Sequence, residues 1–144
     1  MKKLLFHEIH QKSRLSNKEV NEALKEFGLY SSQWSILFCL KQFGSMTQKE
    51  IWHYLNVEAP TVTRTIARLE ESGWIIRREG TDKRERIVEL SPFALQQLPE
   101  IKKQVRKVEE NLVSALSDEE QNQLIVLLKK IDVKVSKEKE VEHG

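Results

Sequence analysis

The apolar positions of the first 27 residues repeat at helical intervals. Leu5, Ile9, Val20, Leu24 and Phe27 recur with polar residues between them, so the pattern predicts a helix over residues 4–27. Ser16 and Glu19 have capping-box spacing, which would allow a break near Leu15. The segment contains neither Gly nor Pro, and one continuous helix is favoured. Gly28 is placed to end it. Ser31 and Ser32 are candidate N-caps for a second helix, residues 33–43, carrying Trp34, Ile36, Leu37, Phe38, Leu40 and Phe43. Those residues are spread around most of its circumference, which predicts a buried central helix stopped by Gly44.

Thr47 and Glu50 form a second capping box and open a short helix that ends near Leu55, with Ile51 and Leu55 on one face. After a tight connection, residues 56–58, Pro60 sits in the first turn of another helix. That helix runs to about Ser72, buries Val62, Ile66 and Leu69, and is ended by Gly73. The period then changes to two. Residues 74–78 and 86–90 read as strands, and the polar stretch 79–85 joins them into a hairpin. Ser91 caps a further helix with Pro92 at its start. Leu95, Leu98, Ile101, Val105, Val108, Leu112 and Leu116 then form a coiled-coil-like stripe. Pro99 lies inside it and predicts a kink, or a restart near Leu98. Ser117 and Glu120 mark a last helix lined by Leu124, Leu127, Leu128 and Ile131, and the charged end beyond Ser136 is expected to fray. There is no internal repeat.

Composition narrows the classes. The chain has 144 residues, with 24 Lys+Arg against 22 Asp+Glu, a net charge of +2. Five Gly and three Pro are too few for a many-stranded β protein. The single cysteine, Cys39, rules out an internal disulfide and a cysteine zinc cage. No apolar run approaches a membrane span, and Glu8 and His10 interrupt the apolar start. A cytoplasmic protein without membrane association is therefore expected. No nucleophile–base set or Gly-rich phosphate loop is present, so an enzyme is not expected, and neither a cofactor nor a metal. The near-neutral total gives no reason by itself to expect a nucleic-acid partner.

The order of elements does give one. A short helix, a tight turn, a second helix and a hairpin make a helix-turn-helix followed by a wing. The fold class predicted is mainly α (α+β), a winged helix-turn-helix. The second helix has an apolar back and a front of Thr61, Thr63, Arg64 and Arg68, with two Arg and no acid over residues 59–69. Arginine reads guanine bidentately, and threonine suits phosphates or a thymine methyl. The hairpin holds five basic residues (Arg77, Arg78, Lys83, Arg84, Arg86) against three acids (Glu79, Asp82, Glu85), a balance that suits a narrow minor groove. Strand alternation sends Arg77 and Arg78 to opposite faces, so at most one of them meets phosphate. The expected DNA-binding set is Thr47, Pro60, Thr61, Thr63, Arg64, Arg68, Lys83, Arg84 and Arg86.

Several segments resemble the MarR family of winged-helix transcription regulators, over about residues 4–135. They are Gly28–Trp34, Thr61-Val62-Thr63-Arg64 with Leu69-Glu70 and Gly73, Asp82-Lys83-Arg84, and Leu116–Glu120 with Leu124, Leu127 and Leu128. The family's usual Leu-Thr-x-x-Gly after the wing is replaced by Leu90-Ser91-Pro92-Phe93-Ala94, and the wing is slightly shorter than in many members. The resemblance implies that Arg84 enters the minor groove, that Asp82 structures the wing, and that the terminal helices form a homodimer. It also implies a repressor on a pseudo-palindromic operator of double-stranded DNA, released by a small effector in a crevice between the dimer helices and the winged lobe. The division expected is a DNA-binding lobe at 30–90, dimerisation segments at 1–29 and 91–136, and a tail at 137–144. Dimer contacts are expected at Leu5, Ile9, Val105, Val108, Leu112, Leu116, Leu124 and Leu128, because a small winged core cannot cover the whole stripe.

The alternatives are a winged-helix module that binds protein, and a redox- or metal-responsive regulator. Cys39 among Phe38 and Leu40 reads as a buried, inert thiol. His7 and His10, three apart, do not make a three-ligand site. Trp34, Phe38 and Trp52 read as core aromatics that could also line an effector pocket.

Overall fold

A computed structural model describes residues 4–80 and 86–134. The chain divides into two compact units, residues 1–109 and 110–144.

In the first unit, α1 spans Leu4–Leu24 without a break. The hydroxyl of Ser16 donates to the carbonyl of Ser13 at 3.3 Å, so it serves the helix interior and caps nothing. Only the end of α1 is buried, at Val20 and Leu24, while Leu4, Leu5 and Phe6 stand more than half exposed. A 3-10 turn, Lys25–Phe27, follows, and Gly28 at φ +69° turns the chain away.

The second helix, α2, is Ser31–Phe43. Ser31 and Ser32 lie inside it and are not its caps. The extended residue before it is Tyr30, whose N–H donates to Gln33 Oε1 at 2.9 Å. The N–H of Ser31 donates to Asn21 Oδ1 at 2.6 Å, so α1 supplies part of the cap. An acceptor ten residues away is invisible to a local capping rule. Ile36, Leu37, Cys39 and Leu40 are buried, but Phe38 and Phe43 are 41% and 52% exposed. The expectation of a helix buried all round is corrected accordingly.

A two-residue strand, β1 (Met46–Thr47), precedes α3 (Gln48–Leu55). Two residues carry no alternation, so β1 left no trace in the sequence pattern. The predicted capping box forms. Glu50 N–H donates to Thr47 Oγ1 at 3.1 Å, and Thr47 N–H donates to Glu50 Oε1 at 2.9 Å. Asn56 at φ +59° makes the turn into α4 (Ala59–Glu71), where Val62, Ile66 and Leu69 are buried as predicted.

β2 (Ile75–Glu79) and β3 (Arg86–Leu90) are antiparallel from Ile75↔Leu90 to Glu79↔Arg86. With β1 on the other side of β3, the sheet order is β1-β3-β2. Trp74 lies just outside the strand. It is buried and packs against Phe93 at 4.8 Å between ring centroids.

α5 (Pro92–Leu112) begins at Ser91, whose Oγ accepts from Ala94 N–H at 3.1 Å and donates to the Gly73 carbonyl at 2.6 Å. Pro99 does not restart the helix. It lies on the exposed side, where the carbonyl it leaves unpaired can reach water. The stripe expected to await a partner is in large part covered at home. Leu98, Ile101 and Val105 belong to the core, and Val108 packs against it. Val105, 3% exposed, has no surface left to offer a second subunit, which removes it from the expected dimer contacts and makes Val108 a core-edge residue.

In the second unit α5 ends at Leu112, and Leu116 lies in the turn that follows, so the stripe loses its helical spacing there. α6 (Asp118–Lys129) starts from Ser117, whose Oγ accepts from Glu120 N–H at 3.1 Å while Glu120 Oε1 accepts from Ser117 N–H at 2.9 Å. Asp118, Glu119 and Glu120 sit where the helix dipole favours negative charge. Ile131 falls beyond the helix end. Leu124 through Leu128, five consecutive apolar residues, are 46–57% exposed.

The core and the surface of α4 should respond differently to truncation. Ile66→Ala should destabilise by about 3 kcal/mol in urea unfolding, and Arg64→Ala should change stability by less than about 0.5 kcal/mol.

Candidate nucleic-acid interface

Burying Val62, Ile66 and Leu69 turns the opposite side of α4 outward. Pro60, Thr61, Thr63, Arg64 and Arg68 are all exposed there. Arg64 and Arg68 are one helical turn apart, about 6 Å along the axis. Among the described residues neither forms an ion pair. Thr63 Oγ1 donates to the Ala59 carbonyl at 2.9 Å, and Thr65 Oγ1 to the Thr61 carbonyl at 2.9 Å. The Thr63 hydroxyl has therefore spent its hydrogen on the backbone. What it offers outward is a methyl group and lone pairs, which suits a base edge better than a phosphate. Thr47 is the reverse case. Its oxygen accepts the cap bond, and among the described residues its hydrogen has no acceptor, the polarity a phosphate needs.

The hairpin divides its basic residues. Arg77 Nη2 lies 3.0 Å from Glu70 Oε1, and Arg78 Nε lies 3.4 Å from Glu89 Oε2. Arg86 is exposed at the outermost register pair, opposite Glu79. Asp82, Lys83 and Arg84 lie outside the described residues. The structure thus brings Pro60, Thr61, Thr63, Arg64 and Arg68 onto one helix face, and it pairs two of the hairpin arginines, Arg77 and Arg78, with acids. The partner of Arg77 was legible only as a glutamate seven residues earlier, a separation no periodicity flags.

These elements match known proteins. The sequence profile of the MarR family matches residues 29–85. The HTH-type transcriptional regulator YwoH of Bacillus subtilis is 58% identical over 116 residues, which are 81% of this chain and 85% of that protein. The chain belongs to the MarR family. Among solved structures, a mutant MarR from E. coli complexed with operator DNA has a TM-score of 0.81 at 26% identity, covering 88% of this chain and 92% of that one. Overoxidized AbfR bound to DNA has a TM-score of 0.74 at 28% identity, covering 90% of each. The winged helix-turn-helix expected from the sequence is the fold of this MarR-family chain, and its relatives are named as transcription regulators.

A groove between α2 and α5 is the other notable surface of this MarR-family lobe. Trp34, Phe38, Lys41 and Gln42 face Leu95, Leu98, Pro99 and Lys102 around a cavity of about 410 Å³. A second hollow of about 360 Å³ adjoins Trp34 and Phe38 with Lys102, Val105, Arg106 and Glu109. Burial pushes the Glu109 carboxyl up, and the Arg106 guanidinium pulls it partly back. Trp52 does not line this groove. It sits on α3, stacked on His53 at 4.1 Å. Among the described residues no three His, Cys, Asp or Glu side chains are grouped to hold a metal, and no helix is long and apolar enough to cross a membrane.

Cys39 is 1% exposed, with its Sγ 3.3 Å from Met46 Sδ, and burial pushes its thiol up. Two properties of a sensing cysteine, access and a stabilised thiolate, are missing. Native protein should alkylate at Cys39 roughly a hundredfold or more slowly than unfolded protein, as timed mass spectrometry would show. Because the folded thiol is raised, its contribution to stability is intact below about pH 8.5 and declines as pH rises through the folded value.

Proposed function

We propose that this protein is a homodimeric, sequence-specific DNA-binding repressor that works in the cytoplasm. The observation that carries the reading is the outward face of α4, where Arg64 and Arg68 stand exposed without an acidic partner among the described residues, beside Thr61 and Thr63. The likeness to MarR from E. coli complexed with operator DNA supports the same use of the lobe. In this reading α4 enters the major groove, with Arg64 or Arg68 forked on a guanine and the Thr63 methyl against a base edge. Thr47 and Pro60 lie against the backbone. Lys83, Arg84 and Arg86 place positive charge along the flanking minor groove, with Asp82 shaping the tip. With a net charge of only +2, non-specific attraction is modest, and affinity comes from placed contacts.

A dimer doubles those contacts, and two recognition helices one DNA turn apart read a pseudo-palindrome. The exposed apolar surfaces support it. Leu124 to Leu128 on α6, and Leu4 to Phe6 with the partly buried Ile9 on α1, are apolar surface that this chain leaves open to water. Leu112 and Leu116 are half-buried and remain in the proposed interface. The groove between α2 and α5 is where a small effector would bind. A ligand there loosens DNA binding only if it favours a lobe spacing that the operator does not.

Gel shifts on fragments of the source genome, run at several salt concentrations, test the reading. Arg64→Ala or Arg68→Ala should weaken operator binding about 10- to 100-fold while leaving the fold intact. Unchanged affinity for both would remove them from the interface. Separately, Leu124→Asp combined with Leu128→Asp should shift the mass in light scattering to that of a 16.9 kDa monomer and abolish high-affinity binding. A variant that still weighs twice that would place the interface elsewhere.

A further inference from the structure

We infer that Arg77 serves DNA binding as a positioning residue acting through Glu70, and not as a phosphate contact; the inference rests on the DNA-binding reading above. The ion pair joins the last turn of the recognition helix α4 to the middle of β2, at 3.0 Å, with the Arg77 side chain 22% and the Glu70 side chain 43% exposed. It spans the short connection 72–74, which is fixed at its other points. Gly73 turns at φ +82°, Trp74 N–H donates to the Leu69 carbonyl at 2.9 Å, and the Gly73 carbonyl accepts from Ser91 Oγ at 2.6 Å. These hydrogen bonds hold the base of the hairpin, and the ion pair is a strut set further along it.

Leverage gives the strut its importance. From Trp74 to Gly80 the chain extends about 20 Å at 3.3 Å per residue. A tilt of roughly 5° at the base would displace the far end by about 2 Å, enough to break a hydrogen bond to a groove. The angle between α4 and the hairpin decides whether major-groove and minor-groove contacts are made together. On the other strand face, Arg78 is held by Glu89, which also accepts from Ser45 Oγ at 3.2 Å. Both arginines near the base are thus paired to acids of the chain itself. A phosphate at Arg77 would compete with Glu70 for the guanidinium charge.

The two roles predict opposite signs for Glu70. Glu70→Ala, Arg77→Gln and the exchange Glu70→Arg with Arg77→Glu are compared on the operator selected with wild-type protein. Affinities are corrected for the active fraction by stoichiometric titration, and DNA cleavage footprints are recorded. In the positioning role, each single substitution weakens binding roughly fivefold or more and thins the flanking minor-groove protection while the major-groove protection stays. The exchange restores most of the loss. If Arg77 is a phosphate contact, removing the neighbouring acid leaves affinity unchanged or tighter, and the exchange fails. Either result overturns the assignment, as does wild-type affinity in both single variants. Should Arg77→Gln fail to fold, Glu70→Ala at the exposed helix end still decides the sign. Absence of any specific site for wild-type protein would overturn the DNA-binding reading itself, and this assignment with it.

Discussion

Val62, Ile66 and Leu69 occupy the back of α4 at spacings of four and three, and burying all three fixes which residues are left facing outward. That burial is shared with α2, α3 and β2, the elements against which α4 packs. Each supplies part of one continuous core, through Leu37 and Leu40, Ile51, and Ile75. A recognition face has to be presented at a fixed angle, and an exposed polar surface cannot hold itself still. The apolar side must do so, at about 25 cal/mol per Å² of surface removed from water. Everything proposed for the front of the helix depends on the packing of its back.

The same core explains why the long helices are not simply a dimerisation region appended to a lobe. Val20 and Leu24 of α1, and Leu98, Ile101 and Val105 of α5, are buried with the winged elements in one unit. Asn21 completes the cap of α2 from α1. Part of the α5 stripe is covered within the chain, and open apolar runs remain at the start of α1 and, in the second unit, along α6. A movement of α1 or α5 must also be felt by α2, because all three contribute buried side chains to one core, and the Ser31 N–H of α2 donates to the Asn21 side chain of α1. That is the physical ground on which a ligand between α2 and α5 could alter DNA affinity.

Electrostatics sorts the arginines by what lies within reach. Arg64 and Arg68 lie in a segment without acids and form no ion pair among the described residues, whereas Arg77 and Arg78 meet Glu70 and Glu89 and become part of the scaffold. A count of charges over the hairpin treats all of them alike. The distinction between a cation that faces a ligand and one that braces the fold depends on distances between elements.

Local chemistry determined a great deal from the sequence alone. The capping boxes at Thr47 and Ser117, the left-handed glycine after the first helix and the apolar back of α4 each depend on neighbours within about four residues, and β2 and β3 are successive runs joined by one turn. All were legible. The winged-helix class and the outward Thr–Arg face followed from their order. Tertiary structure decided what depends on distant partners. The two-residue strand β1 exists because β3 lies beside it. Part of the cap of α2 comes from α1, and Phe38 and Phe43 stay half exposed with the Trp34 and Tyr54 rings beside them. Val105 was periodic enough to suggest a partner subunit, but the chain's own core reaches it first. Periodicity says which side of a helix is apolar, and only packing says what covers it.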